Sequence, residues 1–577
     1  MADTYYLGFD LSTQQLKCLV IDQKLKLIHS ETVEFDQDLP HYNTHKGVYI
    51  REDGSIECPV EMWLEAVDLV FLRMSKREHL DLKLVRAVSG SCQQHGSVYW
   101  TSEGPKMLET LNPKSSLKDL LFPSAFSRPV APNWQDHSTG EECEAFEKSS
   151  GGPQQLAQIT GSRAHYRFTG PQIMKIARKE PKVYRNTAKI SLVSSFLASL
   201  LSGKFTKLEE ADACGMNLYD IEKRDYDDNL LCNIDANVAD VREKLGGDPI
   251  PSDKVEPVGH IASYFIEKYG LNSKCEIYPF TGDNLATICS LPLRKNDVLV
   301  SMGTSTTILL VTDQYHPSPN YHLFIHPTLP GHYMGMICYC NGSLARERIR
   351  DQLDGNHDWK LFNEAVLSKT LNTDNELGIY FPLGEIVPSV PSSYRRATFT
   401  KDATTGSVTL NLVENFPSVA HDAKNIVESQ ALSCRVRISP LLSKDCADTT
   451  YHLGQNTVHF DYDNFELSEY AKRPHRAFFV GGASKNDAIV DRFAEVLGAS
   501  DANFRLETPN SCALGGCYRA LWSHLFFSKQ TETSFDKFLD KTFRWGTDVQ
   551  NLGMGSKEMW QHHNEKIAVL SALEATL

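Results

Sequence analysis

Residues 5–22 read YYLGFDLSTQQLKCLVID, and residues 297–313 read DVLVSMGTSTTILLVTD. Each is an apolar run, a turn of small, hydroxyl- or amide-bearing residues, and a second apolar run, the pattern of two buried strands joined by a polar tip. Setting Asp10 against Ser301 aligns them without a gap: Ser12 meets Gly303, Thr13 meets Thr304, Leu19-Val20-Ile21 meets Leu310-Val311-Thr312, and Asp22 meets Asp313. One device used twice predicts two halves built on one plan. Turns of this composition aim backbone N–H and side-chain O–H groups at one point, which is how an uncharged loop holds phosphate oxygens. The repetition therefore points to a ligand shared between the halves, with the two loops facing each other across a cleft. A carboxylate beside a polyphosphate is repulsive unless a divalent cation sits between them, and Mg²⁺ is typically held by one or two carboxylates plus substrate phosphates. Asp10 is the expected magnesium anchor.

The bulk numbers agree with such a plan. A chain of 577 residues is too long for one ordinary core. Its 41% hydrophobic and 23% charged residues are those of a folded globular protein. The net charge of -14 disfavours a phosphate-backbone partner, so no nucleic acid is expected. No apolar run is long enough to span a bilayer and no signal-type segment opens the chain, so no membrane is expected either. The 14 cysteines lack a repeated CxxC pattern and read as reduced, mostly buried thiols of a cytoplasmic protein.

A third element, RAFFVGGASKNDAIVDRFAEVLG at 476–498, combines a buried strand, a Gly-Gly pair that lets backbone approach a flat ligand, and a helical period from Asn486. After it, NSCALGGCYRAL places Ala513, Gly515, Gly516 and Ala520 at helical spacing, which permits tight packing against a neighbour. Residues 388–420, rich in Pro, Ser, Thr and charge, read as an added hairpin and loop.

At these motifs the chain resembles the FGGY family of carbohydrate kinases, within the actin, hexokinase and Hsp70 superfamily, and in particular its fungal, ketopentose-phosphorylating members. FDLSTQQLK is similar to the family's first phosphate loop, SMGTSTT to its second and FFVGGASKN to its adenosine region, and the resemblance covers nearly the whole chain. It implies an α/β fold with two ribonuclease-H-like (actin-like ATPase) domains around a central cleft, residues 1–290 carrying the sugar site and 291–577 the nucleotide site. ATP and Mg²⁺ would be the cofactors, and the sugar and ATP the partners of a monomer or homodimer. The nucleotide would contact Thr13, Gln14, Gln15, Lys17, Gly303, Thr304, Ser305, Gly481, Gly482, Ala483 and Asn486.

Four segments carry the substrate expectation. SGSCQQHGSVYW places Gln94 and His95 just after an apolar strand, at what should be a cleft rim, and the family match implies that both contact sugar. TGSRAHYRFTGPQIMK holds Arg163, whose family match also contacts substrate; a guanidinium fork suits vicinal hydroxyls, and Arg167 reads as a solvated neighbour. YPFTGDNLAT presents Asp283 and Asn284. Phosphorylating an alcohol needs a carboxylate to orient the hydroxyl and take its proton, and the family's catalytic aspartate matches Asp283. LEEADACGMNLYD adds Asp212 as a second acid supporting the metal. The family's arginine after NWQD is replaced by Ser138, and its tryptophan after Lys175 is absent.

The reaction so implied is ATP-dependent phosphorylation of D-xylulose at its terminal hydroxyl. Two alternatives stay open: a kinase of another ketose or polyol such as ribulose or glycerol, and an ATP-driven interaction protein of the actin or Hsp70 type.

Overall fold

The computed structural model describes all residues except 1–3, 354, 403–406, 449–456, 462 and 508. The chain forms two compact units: Met1–Leu293 with Phe324–Gly331 and Asn510–Phe543, and Arg294–Leu323 with His332–Pro509 and Arg544–Leu577. Each has its own apolar core, one built around Leu7, Phe9, Trp63, Phe71 and Phe196, the other around Val300, Leu310, Ile426, Phe479 and Phe493.

In the first unit β1 (Tyr5–Leu11) pairs antiparallel with β2 (Gln15–Asp22), which pairs antiparallel with β3 (Leu27–Glu34). On its other side β1 runs parallel to β4 (Val85–Cys92), and β4 parallel to β5 (Glu276–Ile277), giving the order β3-β2-β1-β4-β5. The two-residue strand Thr281–Gly282 also runs parallel to the end of β4 and leads into helix α1 (Asp283–Ile288). β1 and β4 are buried almost end to end, as central strands covered on both faces must be.

The second unit repeats this plan. β6 (Val298–Met302) pairs antiparallel with β7 (Thr306–Thr312), β7 antiparallel with β8 (Tyr333–Tyr339), β6 parallel with β9 (Arg476–Val480), and β9 parallel with β10 (Ala502–Leu506). Helix α2 (Asp487–Leu497) joins β9 to β10. The order β8-β7-β6-β9-β10 is that of the first unit.

The gapless alignment of the two hairpins holds for their first strands and slips by one in the second. Leu11 pairs with Leu16 across a four-residue turn closed by Ser12 N–H to Gln15 O at 3.0 Å. Met302 pairs with Thr306 across three residues, closed by Gly303 N–H to Ser305 O at 2.9 Å. The second turn is one residue shorter, so Leu19 corresponds to Leu309 rather than Leu310.

Helix α3 (Ser511–Phe527), which the sequence places in the C-terminal half, packs on the first sheet. Its small-residue stripe lets backbone meet backbone: a Cβ on Gly8 of β1 would lie 2.0 Å from Ala513 O, and one on Gly516 would lie 2.7 Å from Gly90 Cα of β4. The expected added hairpin is present as Ser393–Lys401 paired with Val408–Val413, extending the strand Glu376–Phe381.

Candidate active site

In the first unit three parallel strands end side by side, β1 at Asp10, β4 at Ser91-Cys92 and the short strand at Gly282; Asp10 is paired with Ser91, and Thr281 with Ser91 on the opposite edge. Polar groups placed after the carboxyl ends of buried parallel strands are exposed to a common pocket. Asp10 is buried, with Oδ2 accepting from Ser12 Oγ at 2.7 Å and Oδ1 from Ser91 Oγ at 3.0 Å. Burial raises its pKa, and these two hydroxyls partly offset the rise. Lys17, opposite Asp10 on β2, donates to Asn510 Oδ1.

Asp283 opens α1. Its Oδ1 accepts from the Asn284 backbone N–H at 2.7 Å and from Asn284 Nδ2 at 3.0 Å, and Asn284 Nδ2 also donates to Gln94 Oε1 at 3.1 Å. Gly282 makes this contact possible, since a Cβ there would lie 2.3 Å from Gln94 Cγ. Burial, and then the charge of Asp10, push the Asp283 carboxyl up to about 7. Asp212 is likewise raised to about 7 by burial and by the charges of Glu209 and Asp283, against the hydrogen bond that Ser194 Oγ donates to its Oδ2 at 2.6 Å. Its neighbour Glu210 takes no part: it accepts from Arg224, Tyr219 and Ser252.

His95 is held with φ +71°, a left-handed conformation that costs a non-glycine residue about 1 to 3 kcal/mol. Thr169 Oγ1 donates to its carbonyl at 2.9 Å, and its ring lies 4.6 Å from that of Phe168. Burial, and then the charge of Arg167, lower the imidazole pKa to about 3, so the ring is neutral. Nδ1–H then donates to Gly215 O at 2.9 Å and leaves Nε2 as an acceptor. Arg163 is ion-paired with Glu147 at 3.2 Å. The guanidinium whose charge acts on both His95 and Asp283 is that of Arg167, which is therefore not merely a solvated neighbour of Arg163. Lys175 reaches Ser138 Oγ at 2.5 Å and Ser55 Oγ at 2.8 Å, and Ser138 in turn donates to the buried Asp136, so the segment that lacks the family's arginine is tied together by a lysine.

Matches to known proteins extend over this whole frame. The N-terminal domain of the FGGY family of carbohydrate kinases matches residues 129–289 and the C-terminal domain matches 298–524. Xylulose kinase of Saccharomyces cerevisiae is 61% identical over 100% of this chain and 97% of its own length. The chain belongs to the FGGY family of carbohydrate kinases. A protein of Aspergillus fumigatus described as a probable D-xylulose kinase A is 41% identical over 99% of this chain and 97% of its own. The solved structure of ligand-bound xylulose kinase from Lactobacillus acidophilus shares the fold, with a TM-score of 0.72 at 15% identity, covering 100% of this chain and 98% of that one. As a kinase of the FGGY family the protein uses ATP.

The remaining expected residues of this FGGY kinase fall on three turns and a helix N-cap. In the first unit Thr13 Oγ1 accepts from Trp134 Nε1 at 2.9 Å, and Gln14 O from Phe35 N–H at 2.9 Å, while the Gln14 side chain is exposed at the tip and Gln15 opens β2. In the second unit the turn Gly303-Thr304-Ser305 follows β6, braced by Gly342 N–H to Thr304 O at 3.1 Å, and Thr304 and Ser305 are exposed. Gly481 and Gly482 follow the adjacent parallel strand β9, also exposed, and Ala483 lies in the turn after them. Gly481 has φ +90° and would set a Cβ 2.8 Å from Met302 O. Asn486 caps α2 through Ile489 N–H at 3.3 Å and donates to Asn363 Oδ1 at 2.9 Å. Among the described residues no helix is long and apolar enough to cross a membrane, and ten of the cysteines are buried.

Proposed function

We propose that this FGGY kinase transfers the γ-phosphoryl group of ATP to the O5 hydroxyl of D-xylulose. The observation that carries the substrate is the 61% identity, over the whole chain, to a protein named xylulose kinase. Asp283 accepts the O5 proton as the O5–phosphorus bond forms and the bond from phosphorus to the bridging oxygen of ADP breaks. A carboxyl raised to about 7 suits that exchange, because it holds a proton weakly enough to be a base at neutral pH and can return it to solvent afterwards. Gln94, Asn284 and His95 Nε2 supply fixed donors and acceptors for the sugar hydroxyls, with the charge of Arg167 beside them, and Arg163, ion-paired with Glu147, is a further sugar contact. Phosphoryl transfer is catalysed mainly by alignment and charge neutralisation. The turns at Thr13-Gln14-Gln15 with Lys17, and at Gly303-Thr304-Ser305, take the phosphates, and Gly481, Gly482, Ala483 and Asn486 take the adenosine.

The donor set fits Mg²⁺. Among the described residues no three His, Cys, Asp or Glu side chains are grouped to hold an ion alone. Mg²⁺ needs only one or two carboxylates when substrate phosphates and water complete its shell. Asp10 is the anchor and Asp212 the supporting acid. Bound there, the ion would neutralise charge on the phosphates, and the chain's own part is to hold Asp10 in place through Ser12 and Ser91. The division into a sugar-site domain, 1–290, and a nucleotide-site domain, 291–577, a cytoplasmic location and a monomeric or homodimeric state belong to the same reading.

The test is ADP release by purified protein with ATP and Mg²⁺, alone and with D-xylulose, D-ribulose, L-ribulose or glycerol. Strong stimulation by D-xylulose above the others is expected. Stimulation by another sugar alone would move the substrate assignment, and no stimulation by any sugar would overturn the kinase reading of the site.

A further inference from the structure

One buried carboxylate next to the site has no assigned role. Glu209 precedes the short helix Glu210–Ala213 and is almost fully enclosed. Its Oε2 accepts from two segments at once, from Thr281 Oγ1 at 3.0 Å and from the Asp212 backbone N–H at 2.9 Å. Its Oε1 accepts from Arg519 Nη2 at 3.0 Å. A buried carboxylate is costly unless it is paired and hydrogen-bonded, and Arg519, 310 positions away in sequence, supplies the counter-charge.

The geometry ties this pair to Asp283. Thr281 lies two residues before it, in the strand that runs parallel to β4 and delivers the chain into α1. Arg519 lies on α3, which is pressed directly against α1: a Cβ on Gly515 would fall 1.9 Å from Ala286 O. The same helix touches β1 at Gly8 and β4 at Gly90, the strands that carry Asp10 and lead to Gln94.

We propose that Glu209, held in place by Arg519, is a positioning residue for phosphoryl transfer, fixing the height and direction of Asp283 through Thr281 and the backbone of Asp212 through its N–H. The inference deepens the reading of Asp283 as the base and rests on it. The base must meet the substrate hydroxyl within a few tenths of an ångström, and a misplacement of about 1 Å can cost about 100-fold in rate.

The test uses Glu209→Gln, Arg519→Met and Thr281→Val in the full chain, with kcat, KM for D-xylulose and for ATP, and thermal unfolding measured on each. The expected result is a fall in kcat of about 10- to 100-fold with each KM within about threefold of wild type. Glu209→Gln combined with Arg519→Met should lose no more than the larger single loss, because the two side chains act as one unit. Wild-type kcat in the folded fraction of these proteins, with only the unfolding temperature lowered, would overturn the proposal and leave the pair purely structural. Should Glu209→Gln fail to fold, Thr281→Val decides alone: it removes one hydroxyl from the tie, and wild-type kcat there overturns the proposal. Asp283→Asn separates the two layers. Normal turnover in it defeats the base itself, whereas lost turnover in it beside normal kcat in the other three defeats only the positioning role.

Discussion

Asp10 and Ser301 occupy the same place in the two units. Each is the penultimate residue of the first strand, each faces a parallel neighbour, Ser91 for Asp10 and Val480 for Ser301, and each leads into a polar turn. Around Asp10 the sequence adds Ser12, Gln94, Asp212 and Asp283, so that Asp10 raises the pKa of Asp283 and Asp283 that of Asp212. Around Ser301 it adds Gly303, Thr304, Ser305 and Gly481, and no carboxylate stands at the strand tip. A phosphate chain is accepted by neutral N–H and O–H groups and repelled by bare carboxylates, whereas an alcohol is activated by a carboxylate. One frame thus carries two chemistries, decided by which residue stands next to last on a strand.

Exchanging the two positions is the direct way to break the comparison. Asp10→Ser, which gives the first hairpin the residue of the second, should lower turnover about 100-fold and raise the Mg²⁺ concentration needed for half-maximal rate. A metal titration identical to wild type would remove Asp10 from the site. The reverse change, Ser301→Asp, should raise the KM for ATP about tenfold, or about 1.4 kcal/mol, while leaving the KM for the sugar alone; an unchanged KM for ATP would place the phosphates elsewhere. Gly481→Ala sharpens the same point with a smaller effect. Its φ of +90° and the approach of Met302 O require the loop to shift, and a rise of about threefold in the KM for ATP at constant sugar KM is expected.

The smallest effect concerns stability. The Asp283 carboxyl is raised in the folded protein, so its contribution to stability is present in full below its unfolded pKa near 4 and is lost as pH rises through about 7. Without metal, Asp283→Asn should therefore unfold a few degrees above wild type at pH 8, and the gap should close as the pH approaches 4. A gap of equal size at both pH values would mean that the carboxylate is not under strain.

Much of this was legible in the sequence, and the limits have physical causes. The hairpins showed because their strands are buried and their tips polar, a contrast that survives without knowledge of what they pair with. The one-residue slip did not show, because turn length is fixed by how Gly303 closes on Ser305 rather than by composition. The stripe Ala513-Gly515-Gly516-Ala520 announced close packing, yet nothing local says that its partner is a sheet some 500 positions earlier in sequence. Arg163 and Arg167 are four apart and chemically equal; only the fold puts Glu147 beside one and the charge of the other at His95 and Asp283. Glu209 is invisible for the same reason, since two of its three partners, Thr281 and Arg519, come from distant segments.

The account turns on Asp283, and the most direct measurement is sugar-stimulated ADP release together with ATP affinity on one preparation of Asp283→Asn. Turnover should fall about 1,000-fold while ATP binds as it does to wild type, because only the acceptor of the hydroxyl proton is gone. Turnover near that of wild type would contradict the account.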